Sequence, residues 1–142
     1  MKKIKLFLDP ILFYMEDTSG FAVTHYIDLT TGEVVSPDLD DDISDEDVKD
    51  GKRYFFISPI GSHEGYGIMK DFVGTIESEE IQNHLYEALE RRKPFRSFKN
   101  AVSEHPDMDK LFYEYKGNRL INMLKERLAG IGYEVEEDLK HF

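Results

Sequence analysis

The chain has no cysteine. That excludes disulfides, thiolate metal centres and a cysteine nucleophile, and it suits a reducing cytoplasm. No stretch approaches the roughly 20 apolar residues of a membrane-spanning helix. Lys2 and Lys3 followed by apolar residues as far as Met15 have the outline of a secretory signal. Asp9-Pro10 splits that apolar run, and no small-residue cleavage site follows it. The expected location is therefore the cytoplasm, with no membrane partner. Positive charge is also scarce: 18 Lys and Arg stand against 29 Asp and Glu, for a formal net charge of -11. Such a balance opposes nonspecific binding to nucleic acid or anionic lipid.

Several catalytic signatures are missing as well. There is no Gly-x-Ser-x-Gly elbow and no glycine-rich phosphate loop ending in lysine. The histidines His25, His63, His84, His105 and His141 show neither a His-x₃-His pair nor the zincin spacing that sets two ligands on one helical face. No metal and no cofactor are expected. No internal repeat and no linker between separate cores is apparent, so the 142 residues are read as a single domain. A chain of this length buries about two thirds of its unfolded surface.

What is present divides into a strand-rich part and a helical part. Asp9 and Pro10 form a helix start, followed by Ile11, Leu12, Tyr14 and Met15 up to about Asp17; Ser19-Gly20 ends it. Phe21, Val23, His25, Ile27 and Leu29 alternate with Ala22, Thr24, Tyr26 and Asp28, the period of a half-buried strand. Thr30-Thr31-Gly32 turns the chain, and Glu33-Val34-Val35 returns to make a β-hairpin. Ile4-Lys5-Leu6 is expected to join it. After an acidic loop at 38–50, Arg53 to Ile57 supplies a third strand.

From Ser62 the period becomes helical. Ser62 is read as a cap, with Tyr66, Met69, Phe72, Val73 and Ile76 as the apolar stripe. Ser78, Pro94 and Pro106-Asp107 start further helices. The last is the longest, has Gly117-Asn118 as a weak point, and ends at Gly130 and Gly132. Strands before helices predict an α+β domain: a small antiparallel sheet, hairpin plus third strand, packed against about four helices. Residues 1–60 form the strand part, 61–132 the helical part and 133–142 a C-terminal tail.

The few cations are unevenly placed. Arg91-Arg92-Lys93-Pro94-Phe95-Arg96-Ser97-Phe98-Lys99 carries five basic residues and no acidic one. If Phe95, Phe98 and Val102 line the buried side of a helix, Arg92, Arg96 and Lys99 project from another, and Lys116 and Arg119 of the last helix extend the patch. Two readings follow. Either an anionic ligand docks on this ridge, or the ridge neutralises the protein's own Glu77, Glu79, Glu80, Glu87 and Glu90. The acidic loop invites a calcium reading. Counted from Asp38, however, Ile43 and Lys49 occupy the positions where an EF-hand needs Gly and Glu, and counted from Asp40 they are Asp45 and Gly51. A solvated loop is expected. Ser62-His63-Glu64 has the residue types of a hydrolase triad, but adjacent residues at a helix start do not face one another.

Three stretches, taken in order, carry a resemblance: Tyr26-Ile27-Asp28-Leu29-Thr30-Thr31-Gly32-Glu33-Val34-Val35, then Ser62-His63-Glu64-Gly65-Tyr66-Gly67-Ile68-Met69-Lys70-Asp71-Phe72, then Pro94-Phe95-Arg96-Ser97-Phe98-Lys99. With the aromatic helix segment Leu111-Phe112-Tyr113-Glu114-Tyr115 after them, they resemble the uncharacterised bacterial protein family numbered 0158. The resemblance runs from about Leu8 to Ile131. Gly67 and Gly117-Asn118 depart from the family's pattern. It implies a bacterial origin and these domain limits, and it brings no activity, cofactor or catalytic residue.

The expectation is a non-enzymatic binding or adaptor domain that recognises a protein or an anionic ligand through Arg92, Arg96, Lys99, Lys116 and Arg119. Binding of RNA or single strands through the same ridge is one alternative. An enzyme with a carboxylate–histidine site around His25, Tyr26, His63 and Glu64 is another. The aromatic helix and a free hairpin edge are two surfaces through which a homodimer would form.

Overall fold

A computed structural model describes residues 1–16 and 23–137. The chain folds into two compact units, one from Met1–Ile60 together with residues from Leu120 onward, the other Gly61–Arg119. The first contains β1 (Lys2–Leu6), α1 (Leu8–Glu16), β2 (Tyr26–Asp28), β3 (Val34–Val35), β4 (Tyr54–Phe56) and β5 (Tyr133–Glu137). The second contains α2 (Ser62–Gly74), α3 (Glu79–Leu89) and α4 (Pro94–Ser103). The long helix α5 (Met108–Ala129) belongs to the second unit as far as Arg119 and to the first from Leu120. The fold is α+β, with five helices among the described residues where about four are expected.

In the first unit β3, β2 and β4 form an antiparallel sheet in that order, with Ile27 opposite both Val34 and Phe55. The expected hairpin and third strand are both present, each shorter than the alternation suggests. The first residues of the expected strand, Phe21 and Ala22, and the break at Ser19-Gly20 lie outside the described residues. Val23 precedes β2 and is exposed. Gly32 makes the turn at a φ of 80°, a region open to glycine and strained for other residues.

The first strand departs from expectation. Ile4-Lys5-Leu6 does not join the hairpin: β1 pairs in parallel with β5, Lys2 opposite Tyr133 and Leu6 opposite Glu137. Tyr133–Glu137, expected as part of a tail, is therefore a strand. Two properties explain it. Ile4 and Leu6 are buried while Lys3 and Lys5 are exposed, so the period of two is intact. The register also sets Lys3 opposite Glu134 and Lys5 opposite Glu136, opposite charges across the pair.

Asp28 is a buried carboxylate in this unit, 5 % exposed. It accepts from the Thr30 hydroxyl at 2.6 Å, from the Thr30 amide at 3.0 Å and from Arg53 Nη2 at 3.3 Å. Burial alone pushes its pKa up, but the Thr30 bonds and the Arg53 guanidinium together hold it below the usual carboxylate range. A depressed pKa contributes stability that is present above the unfolded value of about 4 and lost as pH falls through the folded value. Asp28→Asn is expected to cost about 1–3 kcal/mol at neutral pH. The gap from the parent should shrink on acidification to about pH 3, as followed by urea unfolding. A gap that stays constant from neutral pH to that point refutes this account.

The helical unit is built from capped amphipathic segments. Glu64 accepts the Gly61 amide at 3.2 Å, so Gly61 is the residue before the first turn of α2 and Ser62 lies inside it. That corrects the expected cap at Ser62: the carboxylate three residues on satisfies the free amide instead. Ser78 does cap α3, its Oγ accepting the Ile81 amide at 3.3 Å, with Glu79 and Glu80 in the first turn where the helix dipole favours them. Pro94 opens α4 as expected. Met69, Phe72, Val73, Leu85, Leu89, Phe98 and Val102 form one buried cluster. Phe112 of α5 is edge-on to Phe72 at 5.2 Å and to Phe98 at 5.0 Å. Gly117-Asn118 does not interrupt α5, which runs as 22 helical residues.

Candidate functional site

The basic ridge occupies the α3–α4 connection and the outward face of α4. Arg91, Arg92, Lys93, Arg96 and Lys99 are all exposed. Phe98, Ala101 and Val102 bury the opposite side of α4, so a turn of 3.6 residues leaves Arg96 and Lys99 as outward neighbours. Phe95 differs from expectation. It is 40 % exposed rather than part of the buried stripe, because its place on the helix lies at the margin between Phe98 and the solvent side.

None of the five ridge cations is in a salt bridge with another described residue. Other cations of the chain behave otherwise. Arg53 holds Asp28 at 3.3 Å, Lys49 holds Glu46 at 3.0 Å, and Arg127 donates to the Ser58 carbonyl at 3.1 Å. Glu77, Glu79, Glu80, Glu87 and Glu90, expected on one reading to absorb the ridge, form no salt bridge with it.

The two α5 cations expected to extend the ridge, Lys116 and Arg119, are placed differently. Arg119 donates to Asp71 at 2.9 Å and to the Tyr115 hydroxyl at 3.0 Å, and these bonds push its pKa up. It is committed to a carboxylate of α2 and does not enlarge the ridge as a free charge. Lys116 is half-buried.

Of the residues weighed as a carboxylate–histidine site, His25 and Tyr26 belong to one unit and His63 and Glu64 to the other. His25 stacks on Tyr14, ring centroids 3.5 Å apart and planes 13° apart, in the strand-bearing unit. Glu64 closes the start of α2 in the helical unit, where His63 is exposed. In the acidic loop the carboxylates hold the chain's own amides. Asp38 accepts from Thr24 at 3.0 Å, Asp40 from Ser36 at 2.8 Å, Asp47 from Ser44 at 2.9 Å and Asp50 from Lys52 at 3.0 Å. The last three close local turns, and Asp38 ties the loop to Thr24.

One constellation escaped the spacing rules. His84 of α3 and His105 of the α4–α5 connection meet, Nδ1 to Nε2, at 2.8 Å. The other nitrogen of His84 lies 3.2 Å from Glu104, the residue that ends α4. His84 and Glu104 border a cleft of about 160 Å³ that Ala88, Arg91, Ser97 and Asn100 also help to line. The two histidines are 21 residues apart, and only the packing of α3 on α4 brings them together. Periodicity within a single helix carries no trace of such a pair.

No described helix is long and apolar enough to cross a membrane. Residues 1–141 match the model of a family described as uncharacterised protein family UPF0158. The chain is similar to UPF0158 protein PA5073 of Pseudomonas aeruginosa: 31 % identical over 127 residues, covering 84 % of this chain and 78 % of that protein. No solved structure matches it.

Proposed function

Because this chain belongs to the uncharacterised protein family UPF0158, whose name carries no activity, we propose its function from its own surface: a binding or adaptor domain whose α4 ridge docks an anionic partner or ligand. Arg92, Arg96 and Lys99 are its contact residues, with Arg91 and Lys93 beside them. What supports this reading is the state of those cations. All five are exposed and none is spent on a described carboxylate, in a protein that carries 29 Asp and Glu. A chain so acidic has ample means to neutralise a ridge, and this one leaves it open.

The start of α4 adds to the field. Lys93 precedes it without a side-chain cap and no acidic residue sits in its first turn, in contrast to α2 and α3. The positive end of the helix dipole and the ridge therefore point to the same sign of partner. Solvent-exposed ion pairs to Arg92, Arg96 and Lys99 would each contribute roughly 0.2–1 kcal/mol.

The test is capture from a lysate of the source organism by the tagged full chain, with and without nuclease, beside an Arg92→Gln/Arg96→Gln/Lys99→Gln variant. The expected result is a bound set that survives nuclease and falls at least tenfold with the variant, at an unchanged melting temperature. Capture undiminished in the variant removes the ridge as the site. Material lost on nuclease treatment overturns the proposal in favour of nucleic acid.

A further inference from the structure

We propose that His84 and His105 form a binding site for a divalent transition metal of square-planar or octahedral preference, cupric or nickel ion, with Glu104 orienting His84. It rests on the geometry of one cluster, at a cleft that Arg91 of the ridge also lines.

His84 presents Nδ1 to His105 Nε2 at 2.8 Å, with the two ring planes 75° apart. Two nitrogens bound to one ion at about 2.0–2.1 Å, and separated by that distance, subtend about 85–90° at the metal. This is the angle between adjacent ligands in square-planar and octahedral coordination. A tetrahedral ion would need the nitrogens about 3.3 Å apart. The spacing is thus compatible with that class of ion.

The proton balance is consistent. Glu104 as a carboxylate only accepts, so the His84 nitrogen 3.2 Å from it, Nε2, carries hydrogen. With His84 neutral, its Nδ1 then offers a lone pair and His105 Nε2 donates to it. Metal entry requires the second lone pair, which His105 supplies when its proton passes through water from Nε2 to Nδ1. No net charge is lost from either ring. The Glu104–His84 contact is the carboxylate–histidine arrangement that fixes a ligand's tautomer and raises its basicity.

The ligands are held and reachable. Leu85, Ala88 and Leu89 of α3 pack with Phe98, Ala101 and Val102 of α4 in one buried cluster, which sets the distance between His84 and the end of α4. The Glu104 and His105 amides bond to Ala101 and Val102 carbonyls at 3.2 Å each, so the turn bearing both is closed. The His84 side chain is 34 % exposed at the open cleft. Among the described residues no third His, Cys, Asp or Glu completes a metal-holding group. Water fills the remaining positions, and the bound ion is exchangeable.

The experiment titrates cupric ion, then nickel ion, into the full chain by calorimetry, with copper electron paramagnetic resonance on the one-to-one sample. We expect one equivalent bound and a nitrogen hyperfine pattern from two imidazoles. His84→Gln and His105→Gln should each weaken binding at least tenfold, Glu104→Gln about tenfold, and His63→Gln not at all. Affinity that survives in both His84→Gln and His105→Gln overturns the site. Should those variants fail to fold, the resonance of the unaltered chain decides: a pattern from fewer than two imidazoles, or no binding, overturns it.

Discussion

Replacing Gly32 by alanine is expected to destabilise the protein by about 4 kcal/mol or more, at the extreme end of what single substitutions do. Two costs act together. The turn after β2 holds Gly32 at a φ of 80°, where a side chain strains the backbone. A Cβ there would also stand 2.0 Å from the Lys5 carbonyl oxygen and 3.2 Å from its carbon, and these are backbone atoms of β1. Relief would require moving either the hairpin turn or the strand that pairs with β5. The comparison is Gly117→Ala. Gly117 lies inside α5 with nothing within 4 Å of an added Cβ, so alanine there should raise stability by about 0.5–1 kcal/mol. Urea midpoints of the two variants, read against the parent, test both. A mild effect at Gly32 would mean that the turn and β1 do not approach as described.

The same turn shows what the sequence carries openly. Thr30-Thr31-Gly32 announces a reversal because only a few residue types tolerate its backbone, and that information is local. Ser78 before Glu79-Glu80 and Pro94 after Lys93 are legible in the same way, since a cap or a first-turn proline acts within four residues of itself. The pairing of β1 with β5 is not local. Lys2–Leu6 and Tyr133–Glu137 each show alternation, and their charges are complementary, but nothing near either strand says that the other exists. Short segments at opposite ends of the chain are thus read as a weak addition to the hairpin and as a tail.

The candidate sites divide along the same line. Five cations within nine residues are visible as a run, and α4 with the connection before it displays them together. Whether they are free depends on carboxylates elsewhere, and this is a matter of packing. Arg119 illustrates the limit: it looks available on sequence and is bound to Asp71, 48 residues earlier. His84 and His105 illustrate the converse. Each alone is an ordinary half-buried polar residue, His84 on α3 and His105 in a connection, and the chemistry arises only from their meeting.

Phe98→Ala is expected to cost about 3–5 kcal/mol, the usual range for emptying a fully buried aromatic site. Phe98 is 0 % exposed, belongs to the buried helical cluster, and meets Phe112 edge-on at 5.0 Å. The cluster around it draws on α2, α3, α4 and α5, so collapse into the void would have to displace several helices together, and relaxation will be partial. The contrasting substitution is Phe95→Ala, three residues earlier on the same helix. Phe95 is 40 % exposed, so its loss should cost no more than about 1 kcal/mol. The pair matters for the ridge because Phe98 is the residue by which α4 is anchored, while Arg96 and Lys99 flank it on the outer side. Any variant that loosens Phe98 is expected to lose the arrangement of the ridge as well as stability. Phe95→Ala should keep both, since only its own contact surface is removed. Denaturant unfolding of the two variants separates the cases: equal losses would place Phe95 in the core after all and turn the ridge away from the face described for it.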